Sequence, residues 1–210
     1  MNSIWDGIYK DYKEGGDAYA TLGADMAPEF LKFIETIELS KKSALDIGFG
    51  TGRYMKVLRN RGFEVAGIDN SPTAHELATK TLGGSSGLEI ANMYDYEIPA
   101  NIYDLVYSLS TIHHGTKGQI KNLLDRIHKN LIPGGYIFIT VPINSSANGW
   151  MSFKDKTEVA PGTFTPNSGP EKGLPHSFYT KAEIKSLFTN YKTTLIAQDD
   201  FGRWIVIAQK

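Results

Sequence analysis

Short apolar runs alternate with helix-periodic segments along most of this 210-residue chain. The runs are bounded by glycine, proline and acidic residues, which is typical of strands that end in turns. Five of them predict strands, at residues 43–47, 63–68, 88–91, 105–108 and 136–141. Between them, apolar residues recur at helical spacing, for example Ile120, Leu124 and Ile127. Strands that alternate with helices predict a parallel sheet with helices on both faces.

The C-terminal part of the chain has a different pattern. Thr180 and Glu183 form a capping-box sequence that predicts a helix to about Phe188. Two strands, Lys192–Ala197 and Trp204–Ala208, then follow with six residues between them. Parallel neighbours would need a long crossover, so this pair is predicted to be an antiparallel hairpin. The whole pattern predicts an α/β fold with a seven-stranded sheet, in which a C-terminal hairpin follows five parallel strands.

The ends of this core are less regular. Residues 1–25 carry four aromatic side chains without clean periodicity, which predicts irregular structure or a short helix. Pro28 suits the first turn of a following helix. Residues 143–179 contain several prolines, glycines and aromatic residues, among them Trp150 and Phe153. Loops of this length are often functional, so a substrate lid is predicted there, and a cover for one sheet edge is the alternative.

The length of the chain predicts one domain over residues 1–210. We divide it into an N-terminal cap region (1–42), a core (43–142), the probable substrate lid (143–179) and a C-terminal helix with a β-hairpin (180–210).

The charge and residue composition exclude several classes of partner. The 22 basic and 23 acidic residues give a net charge of −1, which is not typical of a nucleic-acid-binding protein. The absence of cysteine excludes disulfides and thiolate metal sites. No apolar run approaches the ~20 residues of a membrane span, and the N-terminus lacks the pattern of a signal peptide. A cytoplasmic protein without membrane or nucleic-acid partners is therefore predicted.

A glycine-rich turn follows the first predicted strand. Gly48, Gly50 and Gly52 are spaced G-x-G-x-G directly before a predicted helix, and the second strand ends in Asp69. Bare backbone at a helix N-terminus suits a nucleotide-like ligand, and a carboxylate can accept hydrogen bonds from both ribose hydroxyls. A dinucleotide fingerprint would need a third glycine at Arg53. The spacing therefore favours the nucleoside of S-adenosyl-L-methionine over a nicotinamide dinucleotide.

Four segments in order resemble motifs of the class I S-adenosylmethionine-dependent methyltransferases. They are Asp46–Gly52, Asp69, Tyr103–Val106 and Leu131–Gly135. The resemblance covers roughly residues 43–142. It implies a Rossmann-like doubly wound fold, a parallel sheet finished by an antiparallel hairpin, S-adenosyl-L-methionine as cofactor and S-adenosyl-L-homocysteine as product.

The resemblance also implies roles for the first motif residues. Asp46 would orient the ammonium group of the cofactor, and a buried carboxylate that caps the glycine turn is the alternative. Gly48, Gly50 and Gly52 would let the main chain approach the cofactor, or would simply form a tight turn. Asp69 would bind the ribose, with a turn carboxylate as the alternative.

Three residues after the second and third strands are candidates for the adenine pocket. Asn70 is predicted either to contact the adenine edge or to serve as an ordinary turn residue. Asn92 stands where the family usually presents an aspartate, so its amide oxygen would accept from the adenine amino group, and Asp95 is the possible substitute. Met93 is predicted to make an apolar contact to the ring.

The residues after the fourth strand are candidates for the reaction itself. Leu109 and Ser110 are predicted to line the path of the methyl donor, because strand ends at the carboxyl edge of a sheet face the ligand crevice. His113, His114 and His176 are candidates for a general base, although the catalytic residues stay unassigned. Adjacent residues on an irregular turn usually point in different directions, so no metal site is predicted.

The function predicted from the sequence is methyl transfer from S-adenosyl-L-methionine to a small-molecule acceptor. The alternative is a non-catalytic S-adenosylmethionine-binding module with a regulatory or scaffold role. The sequence indicates neither a particular acceptor nor an oligomeric state.

Overall fold

A computed structural model describes residues 3–16, 26–144 and 155–210, and the chain divides into two compact units, Met1–Tyr96 and Glu97–Lys210. The helices of the first unit are α1 (Ile4–Lys13), α2 (Pro28–Thr36), α3 (Arg53–Asn60) and α4 (Pro72–Leu82). Its strands are β1 (Ser43–Ile47), β2 (Glu64–Asp69) and β3 (Leu88–Ile90). They are ordered β3-β2-β1 and all pair in parallel.

Close packing between α3 and β2 depends on a glycine in the strand. A side chain at Gly67 would place its Cβ 3.0 Å from both the Met55 sulfur and the Phe49 ring. Met55 and Leu58 are fully buried on the inner face of α3. The small residue therefore lets the helix and the turn before it close onto the strand.

The N-terminus of α4 is stabilised from two sides. Ser71 caps the helix by accepting from the Ala74 N–H at 3.0 Å, and Pro72 occupies its first turn. The buried Asp6 of α1 accepts from the Ser71 hydroxyl and from the Thr73 N–H, both at 2.9 Å. A carboxylate at this position also complements the helix dipole. Asp6 thus fastens the N-terminal helix to α4.

We expect Asp6→Ala to lower the free energy of unfolding by about 2–4 kcal/mol, because two buried donors lose their acceptor. Asp6 is also paired with the half-exposed Lys10 at 2.9 Å. Lys10→Ala is the matched control and should cost about 1 kcal/mol or less. Urea denaturation of both variants measures the difference. Equal losses would show that the exposed ion pair, and not the contact with α4, is what Asp6 contributes.

The second unit also combines helices with strands. Its helices are α5 (Lys117–Asn130) and α6 (Lys181–Leu187), and its strands are β4 (Leu105–Ser108), β5 (Tyr136–Pro142), β6 (Lys156–Ala160), β7 (Thr163–Pro166), β8 (His176–Ser177), β9 (Lys192–Gln198) and β10 (Arg203–Gln209). Four of these strands pair in the order β4-β5-β10-β9. β4 and β5 are parallel, whereas β10 is antiparallel to both β5 and β9. The predicted fold class and the C-terminal hairpin are confirmed.

Residues 155–179 form more structure than the sequence predicts. β6, β7 and β8 build a small antiparallel sheet of their own, so a loop without secondary structure is the wrong description of this part. The strands are short and have weak alternation, which conceals them in the sequence. Trp150 and Phe153 lie outside the described residues. The role of 143–179 as a substrate lid and the single-domain organisation of 1–210 both stay predictions.

Other elements agree with the sequence or correct it. Thr116 with Gln119 and Thr180 with Glu183 both form complete capping boxes at the starts of α5 and α6. The N-terminal aromatic segment forms the regular helix α1. Residues 91–104 contain turns and no helix, so the strand–helix alternation is interrupted between β3 and β4. Within the described residues, none of the helices has the length and apolar character that a membrane crossing requires.

Candidate functional site

The glycine turn of the first unit joins β1 to α3. Gly48, Gly50 and Gly52 have φ values of 86°, 54° and 76°, a backbone region that favours glycine. The Gly48 N–H donates to the Ile68 carbonyl of β2 at 2.8 Å, and the Gly52 N–H donates to Phe49 at 2.9 Å. The backbone of this turn therefore requires glycine at all three positions. This agrees with the sequence interpretation that the glycines form a tight turn.

The Asp69 carboxylate connects this turn to α4. One of its oxygens accepts from the Gly50 N–H and the other from the Ser71 N–H, each at 3.0 Å. Burial raises the pKa of Asp69 to about 6, and these backbone donors oppose the shift, while the Asp6 charge adds to it. Each carboxylate oxygen has a second lone pair, so the group can still accept from a ligand. A structural role for Asp69 is therefore present alongside the predicted ribose role.

Tyr9 of α1 is a residue that the sequence did not single out for this site. Its hydroxyl lies 2.6 Å from the position that a Cβ on Gly50 would occupy. Burial raises the pKa of Tyr9 well above its ordinary value, and the Asp69 and Asp46 charges raise it further. The phenol therefore stays protonated beside the turn. Trp5 and Tyr9 have the i, i+4 spacing of neighbours on one helix face, and their ring centres are 6.1 Å apart. This spacing is the sequence feature that could have indicated a role for Tyr9.

The other predicted cofactor residues of this unit have different environments. Asp46 is buried at the end of β1, whereas Asn70 is exposed after β2. The Asn92 side chain accepts from the Tyr94 N–H at 3.0 Å and donates to Asp95 at 2.9 Å. The two candidates for an adenine acceptor are thus hydrogen-bonded to each other. Met93 between them is half-buried.

We expect Gly50→Ala to destabilise the protein by about 2–4 kcal/mol, from positive φ and from a clash with the Tyr9 hydroxyl. Adding Tyr9→Phe removes the clashing oxygen and should recover about 1 kcal/mol or more of that loss. A double-mutant cycle of unfolding free energies measures this coupling. Strictly additive effects would show that the hydroxyl does not press on the turn.

In the second unit, the predicted residues Leu109 and Ser110 follow β4. Leu109 is half-buried, and Ser110 is buried with φ at 57°, an unusual backbone conformation for a residue with a side chain. The Ser110 N–H donates to the Thr140 hydroxyl at 2.7 Å, and its own hydroxyl accepts from Arg203 at 2.5 Å. The Arg203 guanidinium also donates to Asp199 at 2.6 Å. Arg203 is a further residue of this region that the sequence analysis missed.

The three candidate histidines lie together. The ring centres of His113 and His114 are 4.0 Å apart, and the His176 ring lies 5.7 and 4.7 Å from them. The expectation that the two adjacent side chains point in different directions is wrong. The reason is that β8 holds the 113–115 turn: the Ser177 N–H donates to the His113 carbonyl at 3.0 Å, and its hydroxyl donates to the Gly115 carbonyl at 2.7 Å.

All three imidazoles are buried and neutral near pH 7. Burial lowers the pKa of His113 and His114 well below the usual value, and that of His176 to about 4. The Glu171 carboxylate, which the sequence also missed, lies 3.3 Å from Nε2 of His176. Among the described residues, neither ring nitrogen of His113 has a hydrogen-bond partner. Such a buried group ordinarily costs about 1–3 kcal/mol, so the cluster invites a functional explanation.

Comparison with known proteins places the chain in a family. A methyltransferase-domain family model matches residues 45–139. An uncharacterized methyltransferase of Oceanobacillus iheyensis is 29% identical over 63% of this chain and 61% of its own length. One of Geobacillus kaustophilus is 24% identical over 98% of this chain and 88% of its own. These matches assign the region they cover to the methyltransferase-domain family and support the predicted class I S-adenosylmethionine-dependent methyltransferase. The predicted family, enzyme class and cofactor are confirmed.

Solved structures share the fold of this methyltransferase. A crystal structure of 1,6-didemethyltoxoflavin-N1-methyltransferase from Burkholderia thailandensis, with S-adenosylhomocysteine bound, has a TM-score of 0.69 and 18% identity, covering 99% of this chain and 87% of its own. Among sequence relatives, the phosphoethanolamine N-methyltransferase of Plasmodium falciparum is 29% identical over 64% of this chain and 52% of its own length. The part of this chain that matches the methyltransferase-domain family model includes the glycine turn, Asp69 and His113, but ends before His176.

Proposed function

We propose that this methyltransferase transfers the methyl group of S-adenosyl-L-methionine to a small-molecule acceptor, and that its glycine turn and Asp69 hold the adenosyl part of the donor. The observation that carries this proposal is the buried Asp69 carboxylate, which braces the Gly50 backbone while retaining lone pairs for a ribose. Both features lie within the region that matches the methyltransferase family.

The residues of the first unit suit the different parts of this donor. The glycines at 48, 50 and 52 would let the main chain of the turn approach the donor, with the Tyr9 hydroxyl beside Gly50. Asp69 would accept from the ribose hydroxyls, and Asp46 would orient the ammonium group. Asn92 or Asp95 would accept from the adenine amino group, with Met93 as an apolar contact. These assignments are our proposals for how the site is used.

The chemistry asks little covalent work of the protein. The bound donor supplies an electrophilic methyl group on its sulfonium. The protein has to align an acceptor lone pair with that methyl group and to exclude water. A general base is needed only where the acceptor still carries its proton near neutral pH. Leu109 and Ser110 are proposed to line the donor path, and His113, His114 and His176 remain candidates for proton transfer.

A small-molecule acceptor is supported by two relatives. Phosphoethanolamine and 1,6-didemethyltoxoflavin, after which two of the similar methyltransferases are named, are both small molecules. The net charge of −1 is also unfavourable for nucleic-acid binding. None of the comparisons favours the non-catalytic alternative. The cytoplasmic location stays a prediction.

The donor assignment predicts a specific thermal stabilisation. A ligand that binds only the folded state stabilises it by about 2.7 kcal/mol at a hundredfold excess over Kd. S-adenosyl-L-methionine and S-adenosyl-L-homocysteine should each raise the Tm by several degrees, and NAD should leave it unchanged. Formation of S-adenosyl-L-homocysteine is then measured with a panel of small-molecule acceptors. A shift with NAD alone would overturn the assignment, and donor binding without turnover on any acceptor would favour the binding module.

The raised pKa of Asp69 predicts how donor affinity depends on pH. The charged carboxylate accepts from ribose hydroxyls, and protonation below a pKa of about 6 removes that capacity. We expect the affinity for S-adenosyl-L-homocysteine to fall about tenfold from pH 7 to pH 5. Calorimetry at both pH values measures it, and Asp69→Asn, which cannot titrate, is the control with a flatter profile. An equally steep profile in this variant would remove Asp69 from the ribose site.

A further inference from the structure

The histidine cluster of the second unit has the composition of a metal site. His113, His114 and His176 each offer one ring nitrogen, and these three nitrogens lie within 4.8 Å of one another. We propose that they bind one divalent transition-metal ion, with zinc as the preferred ion and Glu171 orienting His176 from outside the coordination sphere. Imidazole nitrogen is a preferred ligand for zinc and its neighbours in the first transition row.

The ring positions are close to those of a tetrahedral centre. With Zn–N bonds of about 2.1 Å, the ligand nitrogens of a tetrahedral site are about 3.4 Å apart and the ring centres about 5 Å apart. The observed ring-centre distances of 4.0, 4.7 and 5.7 Å lie on both sides of that value. Small ring rotations would shorten the nitrogen separations. Three protein ligands leave a fourth position for water or an acceptor group.

The surroundings also provide outer contacts of the kind that metal-bound histidines use. Backbone groups of Ser110 and Pro175 hydrogen-bond to the His114 ring. The buried Glu171 carboxylate lies 3.3 Å from Nε2 of His176, and Nδ1 would then be the atom of that ring that binds the metal. A carboxylate or carbonyl on the second nitrogen fixes the tautomer and orientation of a ligating imidazole.

The charges around the cluster are compatible with a dication. Metal ligation needs neutral imidazoles, and burial keeps all three in that form near neutral pH. Arg203 is the cation whose charge reaches His113, and its guanidinium is paired with Asp199 at 2.6 Å. The buried Glu171 carboxyl lies beside His176 and could supply a compensating negative charge when a dication is bound. Among the described residues, neither ring nitrogen of His113 has a hydrogen-bond partner, and a bound metal ion would provide one of them with a ligand bond.

The test measures metal binding by the untagged full-length chain. The protein is treated with EDTA, transferred to metal-free buffer and titrated with Zn²⁺, and bound zinc is counted by mass spectrometry. We expect one zinc per chain and a rise in Tm. Substitution with Co²⁺ should give the intense visible absorption of a tetrahedral nitrogen-ligated ion. Absence of stoichiometric zinc, or a cobalt spectrum of fully hydrated ion, would overturn the proposal.

Variants locate the bound ion. His176→Gln should weaken zinc binding by more than a hundredfold, and Glu171→Gln by about 10–100-fold, as is usual for outer contacts. The other two of the five histidines provide the matched control, because the double variant His75→Gln/His128→Gln should bind zinc as the parent does. Circular dichroism verifies that each variant is folded. Loss of zinc binding in the control variant, or its retention in both cluster variants, would contradict the proposed site.

The zinc titrations test the metal site independently of the proposal that the glycine turn binds the methyl donor. Calorimetry with S-adenosyl-L-homocysteine on the same zinc-free sample reports on the glycine turn, which lies in the other unit. Donor binding without zinc binding would support the proposed function and contradict the metal site. Zinc binding without donor binding would support the metal site and contradict the proposed function.

Discussion

The buried carboxylate at the end of β2 is the constraint on which the first unit depends. Asp69 accepts from the Gly50 N–H and from the Ser71 N–H, and so joins two segments that each follow a different strand. A turn built from left-handed glycines has many accessible conformations in the unfolded chain, and ordering it is expensive in entropy. Two charge-assisted hydrogen bonds from a rigid strand end offset part of that cost.

A second carboxylate works beside the first. Asp6 reaches from α1 to the start of α4, where it accepts from Ser71 and Thr73. Two acidic groups near one helix N-terminus repel each other, and the Asp6 charge contributes to the raised pKa of Asp69. The helix dipole and the backbone donors make the arrangement tolerable. Burial, with a smaller contribution from the Asp6 charge, still raises the pKa of Asp69, so that this carboxylate is more easily protonated than an ordinary aspartate.

The second unit buries several polar side chains, three of them imidazole rings. Three imidazoles, the Glu171 carboxyl and the Arg203–Asp199 ion pair lie in or close in sequence to β4, β8 and β10. Neutral imidazole is the form that burial favours, since a buried charge without a partner is costly. The same neutrality suits both proton transfer and metal ligation. The methyltransferase family relationship explains the glycine turn, but its matched region ends before His176 and so does not account for this cluster.

The sequence by itself determined the glycine turn after β1, the capping box of α6 and the helix α5. Each of these depends on neighbours within a few positions: glycine spacing at 48–52, the Thr180 and Glu183 capping box, and the apolar period of α5. Only the tertiary structure decided that Tyr9 lies on Gly50, that Asp6 caps α4, and that His113, His114 and His176 meet. The partners in these contacts are separated by about 40 to 67 positions, and no local pattern encodes which distant side chains a chain brings together.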